Sequence, residues 1–153
     1  MTSARVSVYR RLGEERGAQL VEFALVFPLV LLMTAGIIDV GLLIKDYQVV
    51  TNAAREGARL GAVQGGVPAA ITARVNAYLA AGGLQGSATT DVQQVLVPNP
   101  SGPAVSAVRV VVAYPHEYLV LAPVATLFAA DSIASSVTLR AGVTMRQEAV
   151  AAP

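Results

Sequence analysis

The chain contains no cysteine. Disulfides, thiolate metal sites and cysteine nucleophiles are excluded together, and redox compartment leaves no mark on the sequence. Charge is scarce as well. Asp, Glu, Lys and Arg supply 14% of the 153 residues, against about 25% in an average soluble domain. The formal net charge of +1 provides no electrostatic footprint for nucleic acid. The single histidine, His116, stands in Tyr114-Pro115-His116-Glu117-Tyr118. A triad would need a nucleophile and an orienting acid beside it, and a metal site would need more ligands than this neighbourhood offers. It is expected on a surface loop. Gly61–Gly66 lacks the Lys-Ser/Thr of a phosphate loop. No catalytic residue, cofactor or metal is expected, and the chain is read as non-enzymatic.

What the chain has instead is apolar sequence, 54% of its residues, and much of it is concentrated between Leu20 and Ile44. Residues 23–38 carry no charge and one hydroxyl. As a helix, Leu20–Ile44 would span roughly 36 Å, enough to cross a hydrocarbon layer of about 30 Å. Arg5, Arg10, Arg11 and Arg16 lie on its N-terminal flank. The positive-inside bias then keeps that end cytoplasmic and exports the residues after Ile44.

Beyond Ile44 the helical pattern continues. Val49, Val50, Ala53, Gly57, Leu60 and Gly61 recur at three- and four-residue steps without an intervening proline. One helix is expected from about Ala18 to about Gln64, stopped by Gly65-Gly66. Pro68 suits a first helical position, so a second helix is expected over Ala69–Ala81, stopped by Gly82-Gly83. Val92–Val97, Val105–Tyr114 and Ser136–Met145 are rich in Val and Thr and read as strands. In the last, Val137, Leu139, Ala141, Val143 and Met145 share one face. Asn99–Pro103 is a hairpin turn by composition. Glu117–Ala134 is apolar and admits either a short helix over Val124–Ala130 or an irregular connection.

Residues 17–23 read Gly-Ala-Gln-Leu-Val-Glu-Phe: a glycine, four residues, then glutamate and an aromatic, directly before the apolar run. This is the recognition pattern of prepilins. It continues as VEFALVFPLVLLMTAGIIDVG and then, at Thr51–Arg59, as TNAAREGAR. Over about Arg16 to Leu60 the chain resembles the TadE family, pseudopilins of the tight-adherence, or Flp, pilus system. The resemblance implies processing between Gly17 and Ala18 by a prepilin peptidase at the cytoplasmic membrane face, with Glu22 and Phe23 completing the recognition pattern. It also implies other pilins or pseudopilins and the pilus assembly machinery as partners. The mature chain would begin with Ala18, where the best-known pilins begin with an N-methylated Phe.

The residues carry their own physics. Gly17 has no side chain, so a peptidase can close on an extended backbone there. Cleavage would create an amine on Ala18, one helical turn from Glu22. The pair offsets the cost of a carboxylate in a membrane helix, about 2.5–3.5 kcal/mol at the centre and less near an end. Between subunits, Glu22 could meet the Ala18 amine of another copy and fix an axial offset; the alternative is a Glu22 that snorkels to the interface. Asp39, near the far end of the run, is expected to be a solvated carboxylate at the exit. Pro28 removes the hydrogen bond to the Ala24 carbonyl, and a mild kink is expected. Ala53, Gly57, Gly61 and Gly65 form a small-residue stripe. It suits close packing of a sheet on the helix, with close approach of neighbouring helices as the competing role. Arg55, Glu56 and Arg59 form either a solvated face or a partner-binding face, and Glu56 and Arg59 can pair weakly.

The expected fold is α+β and pilin-like: a long N-terminal helix, membrane-embedded in its first half, packed on a small antiparallel sheet. The chain divides into a leader at 1–17, the helix at 18–64 (transmembrane over about 20–44, extracytoplasmic over 45–64), and a small helix-plus-sheet region at 65–150. Single-pass insertion in a bacterial inner membrane is expected, with incorporation in or at the tip of a pilus and a role in assembly alone both left open. A secreted or tethered binding domain behind an ordinary signal peptide, cut near Gly36, is the rival.

Overall fold

The computed structural model describes residues 3–63, 67–86, 88–126 and 136–147, with side chains described from 17 and up to 123 in the third stretch. Helix α1 runs over Ser3–Val63, with Pro28 inside it. It therefore starts well before the expected Ala18, and the helix continues through the proline. Helix α2 covers Pro68–Ala81 and α3 covers Leu121–Thr126. Strands β1 (Thr89–Asn99), β2 (Gly102–Glu117) and β3 (Ser136–Arg146) form one antiparallel sheet in the order β1-β2-β3. This is the α+β arrangement of long helix and small sheet. Residues 64–66, with the expected Gly65-Gly66 stop, lie outside the described residues, as do 127–135.

The chain divides into two units, Met1–Asp39 with Leu119–Ile133, and Val40–Tyr118 with Ala134–Pro153. In the first, the 17–34 stretch of α1 has exposed or half-buried side chains throughout, among them Leu20, Phe23, Leu25, Leu29 and Met33. Phe23 and Phe27, one turn apart, have ring centroids 5.4 Å apart. The helix is long and apolar enough to cross a membrane, with a mean hydropathy of 2.3 in its most apolar window. α3 begins three residues before the expected Val124 and ends, as described, at Thr126.

In the second unit a core forms between the rest of α1, α2 and the sheet. Val50, Ala53, Ala54 and Ala58 of α1 meet Ile71, Val75 and Leu79 of α2 and Val108, Val110 and Val112 of β2. The three valines of β2 alternate, as residues on one face of a strand must. Burying each contributes roughly 1.5–3 kcal/mol. Val110 pairs with Val92 on one side and Val143 on the other, so a row of valines crosses the sheet. Leu139 and Ala141 are buried and Val143 and Met145 half-buried, as the alternation in β3 predicts, while Val137 is exposed.

Local chemistry explains the boundaries. Val67 is extended and Pro68 opens α2. At its other end, Gly83 N–H donates to Ala80 O at 3.0 Å and Leu84 N–H to Leu79 O at 2.9 Å. Gly83 has φ +82°, the left-handed residue that this pair of closing bonds needs. Leu79 and Leu84 are both in the core, which anchors the stop. Asn99 pairs with Gly102 across the Pro100-Ser101 turn, and the register shifts between Val97 and Asn99, at Pro98. A proline that cannot donate is tolerated there because β1 is an edge strand.

Candidate functional site

The motif residues lie along α1, and their surroundings differ from one end to the other. Gly17, Ala18, Glu22 and Phe23 are all exposed. A Cβ on Gly17 would meet nothing within 4 Å, so no packing among the described residues accounts for a glycine there. Its backbone is helical, not extended. A peptidase that needs an extended strand must unwind this turn, and glycine weakens a helix by about 1 kcal/mol relative to alanine. Pro28 is half-buried.

Farther along, Ala35 and Asp39 are 2% and 1% exposed. The Asp39 carboxylate is not solvated, contrary to expectation. It accepts backbone N–H bonds from Leu119 and Val120, each at 3.1 Å, and a third from Leu121. Leu119 and Val120 directly precede α3 and Leu121 opens it, and N–H groups at a helix start have no partner within the helix. The carboxylate thus satisfies donors that would otherwise be orphaned, and each charge-assisted bond is stronger than a neutral one.

At Ala53, Gly57 and Gly61 the small-residue stripe faces the core, and Gly65 lies outside the described residues. A Cβ on Gly57 would stand 2.6 Å from Val75 Cγ2, 3.3 Å from Ile71 Cγ2 and 3.4 Å from Val110 Cγ1. On Gly61 it would stand 2.9 Å from both Ile71 Cδ1 and Val108 Cγ1. Ala53 is fully buried in the same core. Glycine at 57 and 61 is what lets α2 and β2 approach α1 this closely. The competing role, approach of a neighbouring helix, is not needed to explain these positions.

Arg55 is exposed. Glu56 holds two arginines. Arg59 Nη2 lies 2.9 Å from Glu56 Oε1, with Nε donating to Oε2 at 3.0 Å, a two-pronged contact. Arg74, from α2, donates to Oε1 through Nη2 at 2.8 Å and Nε at 3.1 Å. The hydrogen bonds from Arg59 and then Arg74 hold the Glu56 carboxyl down at about 2. The same contact raises the Arg59 guanidinium. Arg74 was not anticipated, because pairing by helical spacing sees only one helix.

His116 is on β2 and 4% exposed, not on a surface loop. Its Nδ1 lies 2.8 Å from Asp46 Oδ2 of α1, and its Nε2 has no hydrogen-bond partner among the described residues. The expectation ended the strand at Tyr114, before Pro115. β1 leaves β2 at the Thr89–Ala113 pair, whereas β3 stays paired as far as Glu117. Past Ala113, β2 is therefore an edge, where proline is tolerated. The alternation that buries Val108, Val110 and Val112 then carries on to His116. An open depression of about 350 Å³ is lined by Asp46, Gln85, Gly86 and residues 114–117. Burial, with Asp46 and Glu117 adding to it, pushes the Tyr114 phenol up. Among the described residues no group of three or more His, Cys, Asp or Glu is placed to hold a metal.

Residues 17–59 match the family model described as TadE-like protein. The match opens at Gly17 and closes at Arg59, the residues that bound the motif read from the sequence. No curated protein and no solved structure matches the chain.

Proposed function

We propose that the chain is a pseudopilin or minor pilin that serves assembly of tight-adherence pili, with a structural role and no catalytic one. The observation that carries this reading is the position of the TadE-like match: it begins at the exposed Gly17 and follows α1 through Glu22 and the apolar run to Arg59. A prepilin peptidase cuts between Gly17 and Ala18. The helix crosses the inner membrane once over about Leu20–Ile44, with its N-terminus cytoplasmic. The sheet-bearing unit is then extracytoplasmic.

Cleavage turns Ala18 into an ammonium, with a reference pKa of about 7.7–8.0, one turn from the exposed Glu22. Within one subunit the two charges offset each other. Between subunits the same attraction sets the axial offset at which exposed apolar helices pack. A cut near Gly36, as after a secretory signal, would fall between the buried Ala35 and Asp39 and discard the apolar run, so the peptidase reading is favoured.

The test is genetic. Deletion in the native host should abolish or reduce surface pili, and the wild-type chain supplied in trans should restore them. A chain carrying Gly17→Leu should not, since a bulky side chain occupies the space left for glycine. Full piliation with Gly17→Leu refutes the reading.

A further inference from the structure

The buried Asp39 has a consequence for a different part of the chain. Between Glu22 and Lys45 it is the one ionisable residue. If a layer of about 30 Å is centred on Leu20–Ile44, its outer edge falls near Leu42, and Asp39 lies roughly 5 Å inside it. This placement rests on the membrane-spanning reading of α1. Asp39 is bonded to Leu119, Val120 and Leu121, so these residues must share its depth.

We propose that the segment beginning at Leu119 and running into α3 is a second lipid-contacting surface, inserted beside α1 at the outer edge of the membrane. Three observations converge. Leu119 is 70% exposed and Pro123 is also exposed, so apolar side chains face outward from a segment pinned at that depth. The sequence from Tyr118 to Ala130 carries no charge. The backbone is also prepared for lipid. Non-helical backbone at membrane depth is tolerated only where protein satisfies its polar groups, and Asp39 accepts from three consecutive N–H groups there. Pro123 has no N–H to satisfy. The occupant of this surface is the acyl and headgroup boundary of the bilayer, continuous with the lipid around the exposed face of α1. Asp39 acts as the clasp that holds the segment against the helix.

The absence of cysteine makes the test clean. Full-length protein carrying Leu119→Cys, Val30→Cys or Gln94→Cys is labelled with an environment-sensitive fluorophore and reconstituted in liposomes. Each label is then challenged with aqueous iodide and with a lipid-borne quencher. The label at 119 should be quenched by the lipid-borne agent, as at 30, and several-fold less by iodide than the label at 94. Adding Asp39→Ala should raise iodide quenching at 119 to the level seen at 94 and leave position 30 unchanged. Asp39→Asn, which keeps one acceptor oxygen, should fall between. If 119 is quenched by iodide like 94 while 30 stays in lipid, the inserted segment is refuted and the spanning helix stands. Shielding of 119 from both agents, as by a second copy of the chain, also overturns the proposal. So does a label at 119 that stays in lipid after Asp39→Ala, because Asp39 is then not the clasp. Iodide quenching at 30 brings down the spanning reading itself.

Discussion

Gly57→Ala should destabilise the sheet-bearing unit, although alanine is the better helix former. The propensity gain is about 1 kcal/mol. Against it, the new Cβ would lie 2.6 Å from Val75 Cγ2, closer than carbon atoms can pack. Val75 is fully buried and lies in α2. A helical valine has one strongly preferred χ1 rotamer, so it cannot swing aside, and Ile71 and Val110 close the other directions. Overpacking of this kind costs about 1–3 kcal/mol, and the rigid neighbours place it near the upper end. The net loss is about 2 kcal/mol, or about 10 °C in Tm for a unit of this size. Thermal unfolding in detergent, followed by circular dichroism or a thermal shift, measures it. Gly41→Ala is the control, since its Cβ would meet nothing within 4 Å. Val75→Ala combined with Gly57→Ala should lose less than the sum of the two single losses, by about 1 kcal/mol or more. A Gly57→Ala protein that melts at or above the wild-type temperature refutes the close-packing role of the stripe.

The charged residues yield further expected outcomes. Glu56→Gln should cost about 1 kcal/mol at neutral pH, a modest figure because both arginines stand partly in solvent. The Glu56 pKa is lowered on folding, from 4.5 to about 2, so its contribution is present above pH 4.5 and is lost as pH falls towards 2. Acid titrations of stability should therefore be flatter for Glu56→Gln over that window. Asp46→Ala leaves the buried His116 imidazole without its hydrogen-bond partner, and a loss of about 1–3 kcal/mol in the same melts is expected. Glu22→Ala should leave cleavage and membrane insertion intact, since removing a charge eases insertion, but should impair surface piliation. Normal pili from that variant would show that Glu22 merely snorkels.

The elements whose signals are local were legible in the sequence. The apolar run, the Pro68 start and Gly82-Gly83 stop of α2, the alternation in β3 and the turn after Asn99 each depend on neighbouring residues alone. The stripe through Ala53, Gly57 and Gly61 was legible for the same reason, because helical spacing defines a face. Partners that arrive from elsewhere in the chain were not. Asp39 was expected in water at the end of the apolar run, but it is buried, and its partners are backbone N–H groups of Leu119, Val120 and Leu121, which have no side-chain signature. His116 was hidden by Pro115, because only the pairing register reveals that β2 has become an edge at that point. Arg74 joins Glu56 from a different helix, beyond the reach of any three- or four-residue rule.

The most direct test of the pseudopilin account is the intact mass of the mature protein purified from its native host. The account predicts a chain that begins at Ala18, having lost residues 1–17 and retained the whole apolar run. A chain beginning near Ile37 would show that a signal peptidase removes the run. An unprocessed chain in a host with active prepilin peptidase would equally contradict the account.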